Sequence, residues 1–358
     1  MQDAPRILLI GAGHAHLVAL ATIRRQMPDA QVTLIDPSPF AAYSAMLPGV
    51  IAGHYKAADA RFDLARIAAR HGVRLVTGKV DGIDPLHRQA TTTAGRMGFD
   101  IASIDIGIQG ALSQIPGFAE HAVAVKPLSA FADRWARFLD NPGPVAIIGG
   151  GVAGVELALA AAYRIGPHVT LIESGPRILG ELPPASRRML LETLADRQVT
   201  VHIKSQVACI LPEDVILTDR TRIASDLTIA AAGGRPAPWL ARCLPCDAKG
   251  FVSVGPDLQV QGHAGIFAVG DCAVIIDAPR PRAGVHAVRQ GPVLAQNILA
   301  LLLDKPLLAH KPQRHHLKIV SLGGKSGLAL WRGLHVAGPW VWRWKDRIDR
   351  RFMARTGR

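Results

Sequence analysis

Two short glycine runs set the chemistry open to this 358-residue chain. Gly11-Ala12-Gly13-His14-Ala15-His16 follows the apolar stretch Arg6-Ile-Leu-Leu-Ile10, and Gly149-Gly150-Gly151-Val152-Ala153-Gly154 follows Val145-Ala-Ile-Ile148. In each run the first glycine permits a tight strand-to-helix turn. The second removes a side chain, so backbone N–H groups at a helix N-terminus can approach a pyrophosphate, where the helix dipole favours negative charge. Asp36 stands 23 residues beyond Gly13, and Glu173 stands 22 beyond Gly151. A carboxylate about 20 residues on can accept hydrogen bonds from a ribose. Two dinucleotide sites are therefore expected, one from Gly11, Gly13 and Asp36, the other from Gly149, Gly151, Gly154 and Glu173. Glu173 would repel a 2′-phosphate, which favours NADH over NADPH there, with Arg177 near enough to work against that preference. The third glycine survives as Gly154 but is His16 in the first copy. His16 either loosens the helix against the strand, or reaches the bound cofactor, or is simply a polar residue of the first helical turn.

The elements that must hold these turns are written twice. Gly11 and Gly149 lie 138 residues apart, Asp36 and Glu173 lie 137 apart, and Val32-Thr-Leu-Ile-Asp36 is echoed by Val169-Thr-Leu-Ile-Glu173. Agreement over strand, turn, helix, strand and acid is a repeat of a whole βαβ unit. The fold class expected is α/β, with two Rossmann-like nucleotide-binding domains, the second inserted in the first. Residues 1–126 and 250–310 make the discontinuous first domain, 127–249 the second, and 311–358 a basic, tryptophan-rich segment. Asn141-Pro-Gly-Pro144 reads as a joint. A helix is expected over Asp63 to His71, strands over Val73 to Thr77, Phe99 to Ile104, Thr200 to Ile203, Val215 to Thr218 and Leu227 to Ala231, and a long helix over Gly284 to Leu303.

Composition narrows the class. Hydrophobic residues make up 49% of the chain, which with 35 glycines suits close helix-on-sheet packing better than disorder. Four cysteines are too few for a disulfide framework, so a reducing, cytoplasmic setting is expected. The start, Met1 to Arg6, lacks the pattern of a signal peptide, and the longest apolar run is broken by glycines and Glu156, unlike a membrane span. The net charge of +13 is uneven: the last 54 residues carry 13 basic residues against Asp346 and Asp349. Such a tail points to an anionic surface. No recognised nucleic-acid module accompanies the charge, so no nucleic-acid partner is expected. Trp340, Val341, Trp344, Ile348 and Phe352 recur at helical spacing. They either bury in an anionic membrane interface, on the inner face of the cytoplasmic membrane, or pack on the first domain or on a second subunit of a homodimer.

Three further motifs complete a pattern. Gly270-Asp271 ends Ile266-Phe-Ala-Val-Gly-Asp, Ala230-Ala-Ala-Gly-Gly-Arg-Pro236 lies between the two halves, and Gly154-Val-Glu156 opens the second helix. Together with the two glycine runs, these resemble the two-dinucleotide-binding-domain flavoproteins: type II NADH dehydrogenases, sulfide:quinone oxidoreductases and pyridine nucleotide-disulfide oxidoreductases. The resemblance implies FAD at the first turn, with Asp271 on the ribitol chain, and His14, His16, Gly270 and Gly284 also at the flavin nucleotide. It implies NADH at the second turn, with Gly233 beside it. Glu156, near the nicotinamide and flavin, and Gln290, near the acceptor pocket, are the candidate catalytic residues. Gly13-His-Ala-His16, Tyr43 to Tyr55, Ala287 to Pro292 and Trp344 to Met353 resemble the NADH dehydrogenase-like subgroup, which includes the module fused to selenide, water dikinase.

The expected reaction is hydride transfer from NADH to FAD, then electron delivery to a quinone or other small acceptor. No cysteine precedes Cys209, which excludes the disulfide reductases of this class. Cys243-Leu-Pro-Cys246 falls after the connecting motif, and Cys272 reads as packing behind the cofactor. A sulfide:quinone-like activity stays as an alternative, as does a non-catalytic flavin-binding partner module linked to selenium metabolism, since Val285-His286 replaces the usual Ala-Gln. No metal site is expected, because His310, His315 and His316 have no carboxylate or thiol among them.

Overall fold

The computed structural model describes residues 4–125 and 128–357, so the expected domain crossing at 126–127 lies outside the described residues. Ile7, Leu8, Leu9 and Ile10 are buried on both faces of their strand, as a parallel sheet covered on each side requires. That strand, Arg6–Ile10, is the centre of a five-stranded parallel sheet in the order Ile266–Ala268, Ile101–Ile104, Arg6–Ile10, Gln31–Asp36, Arg74–Thr77. A second parallel sheet runs Ala122–Ala124, Leu227–Ala230, Val145–Ile148, Val169–Ile172, Thr200–His202. Four strands follow the same path in both. The fifth, at one edge, comes from later in the chain in the first sheet and from earlier in the second. The fold is mixed α/β with two Rossmann-like sheets, as the repeat implies.

Helix His14–Gln26 lies along helix Gly284–Leu302, and Gly291 lets them meet, since a Cβ there would crowd the Ala15 carbonyl oxygen and Val18. Helix Leu64–His71 begins where the Asp63 side chain accepts from the Arg66 N–H, and it stops at Gly72 with φ +58°.

Two expectations need correction. The chain is back on the first core well before residue 250, because helix Pro238–Cys243 buries Trp239 and Leu240 there. Residues 311–358 are also more than a tail. Strands Lys318–Ser321, Gly327–Trp331 and Leu334–Gly338 form an antiparallel sheet, and helix Pro339–Gly357 follows. Val320, Leu322, Leu328 and Leu330 join the core of the second sheet. The apolar stripe of the last helix divides: Val341 is buried and Phe352 packs on the first core, whereas Trp340, Trp344 and Ile348 are exposed.

The second glycine turn is the tightest joint of the repeat. A Cβ on Gly154 would overlap the Gly149 carbonyl oxygen, whereas one on Gly151 meets nothing within 4 Å. Gly154→Ala should therefore lose about 2 kcal/mol or more in urea unfolding. Gly151→Ala should unfold like the parent.

Candidate functional site

The two turns are built alike to within tenths of an ångström. Gly11 and Gly149 take φ +90° and +121°, and their N–H groups donate to Ile35 O and Ile172 O, both at 2.8 Å. The next amide in each turn donates to the acid one strand away: Ala12 N to Asp36 Oδ2 at 2.8 Å, Gly150 N to Glu173 Oε2 at 2.7 Å. The second carboxylate oxygen accepts from the amide two residues beyond the acid, Ser38 at 2.9 Å and Gly175 at 2.6 Å. Each acid is thus held by backbone amides at the end of its strand. Burial pushes the Asp36 carboxyl above its ordinary pKa, against the pull of these two amides. Gly233, with φ +59°, follows the neighbouring strand of the second sheet.

Where the copies differ, the difference is chemical. His16 is fully buried, with Nδ1 2.7 Å from Gly11 O and Nε2 2.8 Å from Ser103 Oγ. Gly11 O can only accept, so Nδ1–H donates and Nε2 accepts from the hydroxyl. Burial pushes this imidazole down to about 4, so it is neutral. His16 therefore pins the turn from behind, with both its nitrogens engaged inside the core. The sequence reading missed Asp105. It ends strand Ile101–Ile104, is buried, and its Oδ2 accepts from Ala15 N at 2.8 Å and His16 N at 3.1 Å. The repeat itself carried the signal: Asp105 is the counterpart of Ala231, each donating its N–H to the end of the central strand.

A cleft of about 480 Å³ opens before the first turn. Its lining includes Ala12, Gly13, His14 and Asp36 from the first turn and its acid, Asp105 to Gly110, and Asp271, Gly284 and Ala287. His14 faces the rings of Tyr43 and Phe352, centroids 5.5 and 5.8 Å away. Arg61, which the sequence did not single out, lies over Phe40 at the rim, 4.0 Å from the ring centroid. Gln290 is buried, and its Oε1 accepts from Gly270 N at 2.7 Å. That contact ties Gln290 to the Gly270-Asp271 turn, beside which it also lines a small cavity. Cys272, behind the same turn, donates its thiol to Val269 O, and burial pushes the thiol up to about 12. No cysteine lines the cleft among the described residues.

Glu156 lies on helix Val152–Ile165 and accepts from Ser321 N at 2.7 Å. Burial raises it to about 7, against the pull of Lys345. Lys345 Nζ donates to Asp349 Oδ2 at 2.5 Å and to Ala45 O at 2.6 Å, and the Tyr43 hydroxyl donates to Asp349 Oδ1 at 2.9 Å. The Tyr55 hydroxyl donates to Asp346 Oδ1 at 2.7 Å. Burial raises both phenols, so both keep their protons. The two acids of the basic segment are thereby bound to the segment that walls the cleft.

Comparisons with known proteins agree with this architecture. The chain is 24% identical to a type II NADH:quinone oxidoreductase of Staphylococcus aureus over 99% of its own length and 97% of the relative's, and 23% identical to one of Staphylococcus epidermidis over the same shares. It superposes on the sulfide:quinone oxidoreductase of Aquifex aeolicus with a TM-score of 0.82 at 21% identity, covering 99% of this chain and 92% of that one. For NDH2 from Plasmodium falciparum, solved in complex with NADH, the TM-score is 0.80 at 14% identity, covering 99% of each chain. Residues 5–291 match the pyridine nucleotide-disulphide oxidoreductases. The chain therefore belongs to that family, and it is an FAD-dependent oxidoreductase of nicotinamide nucleotides.

Proposed function

We propose that this chain oxidises NADH at a bound FAD and passes the electrons to a quinone-type acceptor. The observation that carries the reading is one cleft joining a glycine turn, a ribose-side acid and a second acid at a helix start, with no thiol lining it. Its volume lies within the range of small-molecule and cofactor sites. In this reading Gly11, Gly13 and His14 border the FAD diphosphate, Asp36 takes the adenosine ribose, and Asp271 takes the ribitol chain. Gly284, which lines the cleft, begins a 19-residue helix whose N-terminal dipole would favour negative charge on a reduced flavin. Gly149, Gly151, Gly154, Gly233 and Glu173 hold NADH. Bound FAD would supply the redox centre, accepting hydride from NADH and releasing electrons onward. Residues up to 126 and from about 237 to 310 form the flavin domain, and 127–236 the nicotinamide domain. The names of the Staphylococcus relatives support both NADH and a quinone.

The same reading includes a lipid surface. Trp331, Leu334, Val336, Trp340, Trp344 and Ile348 are exposed together on the last sheet and helix, with Trp340 and Trp344 stacked. Arg332, Arg343, Arg347 and Arg351 are exposed among them. Among the described residues no helix is long and apolar enough to cross a membrane. Apolar rings ringed by arginines suit attachment to an anionic leaflet.

Stopped-flow mixing tests the reaction: NADH should bleach the flavin absorbance, and a soluble quinone should restore it. Bleaching that no quinone reverses would leave the quinone assignment untenable. NADPH should react more slowly, and Glu173→Ala should narrow that gap roughly tenfold by removing the like charge. For the surface, a Trp340→Ala, Trp344→Ala double variant should bind anionic vesicles about tenfold more weakly while reducing its flavin at the parent rate. Equal flotation of the two proteins would count against the lipid surface.

Glu156 gives a pH signature. Its folded pKa, about 7, lies above the ordinary carboxylate value, so between those two pH values the folded chain holds a proton that the unfolded chain does not. That part of the stability is present at low pH and is lost as pH rises through 7. Glu156→Gln should melt above the parent at pH 8 and close to it at pH 4; a constant offset across that range would contradict the assignment.

A further inference from the structure

The two turns offer unequal welcomes to a diphosphate. Helix His14–Gln26 starts from Gly13, which has no side chain to cap it, yet its second and third amides are capped from across the sheet by Asp105 Oδ2. The backbone of the turn is engaged as well: Gly13 N donates to Asp105 O at 3.1 Å and Ala12 N to Asp36. In the second copy the counterpart of Asp105 is Ala231, and among the described residues the Ala153 and Gly154 amides have no such acceptor. The packing repeats the contrast. A Cβ on Gly13 or on Gly270 would overlap the Asp105 carboxylate, whereas Gly151 faces open space. Both turns of the first cleft therefore wrap one buried acid.

We propose that Asp105 sets the affinity of the first cleft for its dinucleotide, by occupying with its own carboxylate the helix amides that the second cleft leaves open to a phosphate. The inference rests on the reading of the first cleft as the FAD site. A carboxylate at a helix N-terminus makes the same bonds as a side-chain cap and meets the same dipole as a phosphate. It keeps the helix start satisfied when the cleft is empty, and it puts like charge beside the diphosphate when the cleft is filled. The cofactor is accordingly held through Asp36, Asp271 and the cleft walls, and it exchanges more readily than it would over an open turn.

Titration of apo-protein with FAD, followed by flavin fluorescence, tests this with Asp105→Asn. The amide keeps an oxygen for Ala15 N and His16 N and removes the charge. FAD should bind roughly 10- to 100-fold more tightly to the variant, with NADH affinity at the second turn unchanged. Asp105→Ala, which copies Ala231, should melt at a lower temperature than the parent without FAD and regain most of the difference when FAD is added. FAD affinity equal to or weaker than the parent's in a folded Asp105→Asn protein overturns the inference and leaves the FAD site standing. A parent chain that takes up no FAD at all overturns both.

Discussion

A backbone amide facing a carboxylate one strand away is the contact on which both halves of this molecule depend. Ala12 with Asp36, and Gly150 with Glu173, each join the turn after one strand to the end of the next. The contact exists only because the two strands are parallel and in register, Ile10 beside Ile35 and Ile148 beside Ile172. Positive φ at Gly11 and Gly149 then brings the amide round to the acid. Charge, strand register and glycine are one device, and losing any of the three leaves the other two without a purpose.

That device was legible in the sequence because each part leaves a mark that spacing preserves. Glycine marks the turn, continuous apolar runs mark strands buried on both faces, and an acid about 20 residues on marks the rim. What was not legible depends on contacts between distant segments. Nothing local to Gln290 announces that its oxygen takes the Gly270 amide, 20 residues earlier. Asp105 lies 89 residues from the His16 amide it caps. The last three strands were hidden for another reason. They are four and five residues long, and the surrounding tryptophans and arginines drew the reading towards an amphipathic tail. Arg332-Gly333, both at positive φ between Trp331 and Leu334, was the overlooked hairpin signal.

The last helix has two apolar sides with different surroundings. Its inward side supplies Val341, Lys345, Asp349 and Phe352 to the protein, and its outward side keeps Trp340, Trp344 and Ile348. An amphipathic helix can bury one stripe in a protein and still present a second apolar stripe if the polar residues between them are few and paired. Here Asp346 and Asp349 accept hydroxyls from Tyr55 and Tyr43, so neither acid lies bare beside the exposed tryptophans. The helix thereby keeps an outer face of tryptophan and arginine clear of unpaired carboxylates.

The buried ionisable groups explain why the two copies of one unit need not behave alike. Gly154 lets the second helix sit directly against its turn, with no side chain between them. In the first copy the imidazole of His16 fills that place, and it is tolerable there only as a neutral ring with both nitrogens bonded, one to the turn and one to Ser103. A charged imidazole would carry a second donor towards a hydroxyl already pointing at it and would lose most of its hydration. The first turn is thus fixed by side chains on its inner face, His16 and Asp105, whereas the second is fixed by close backbone packing. A turn fixed by side chains can be retuned by single substitutions that leave the sheet untouched. A turn fixed by backbone contact has no side chain at that place to exchange, so the inner face of the first turn is the more adjustable of the two.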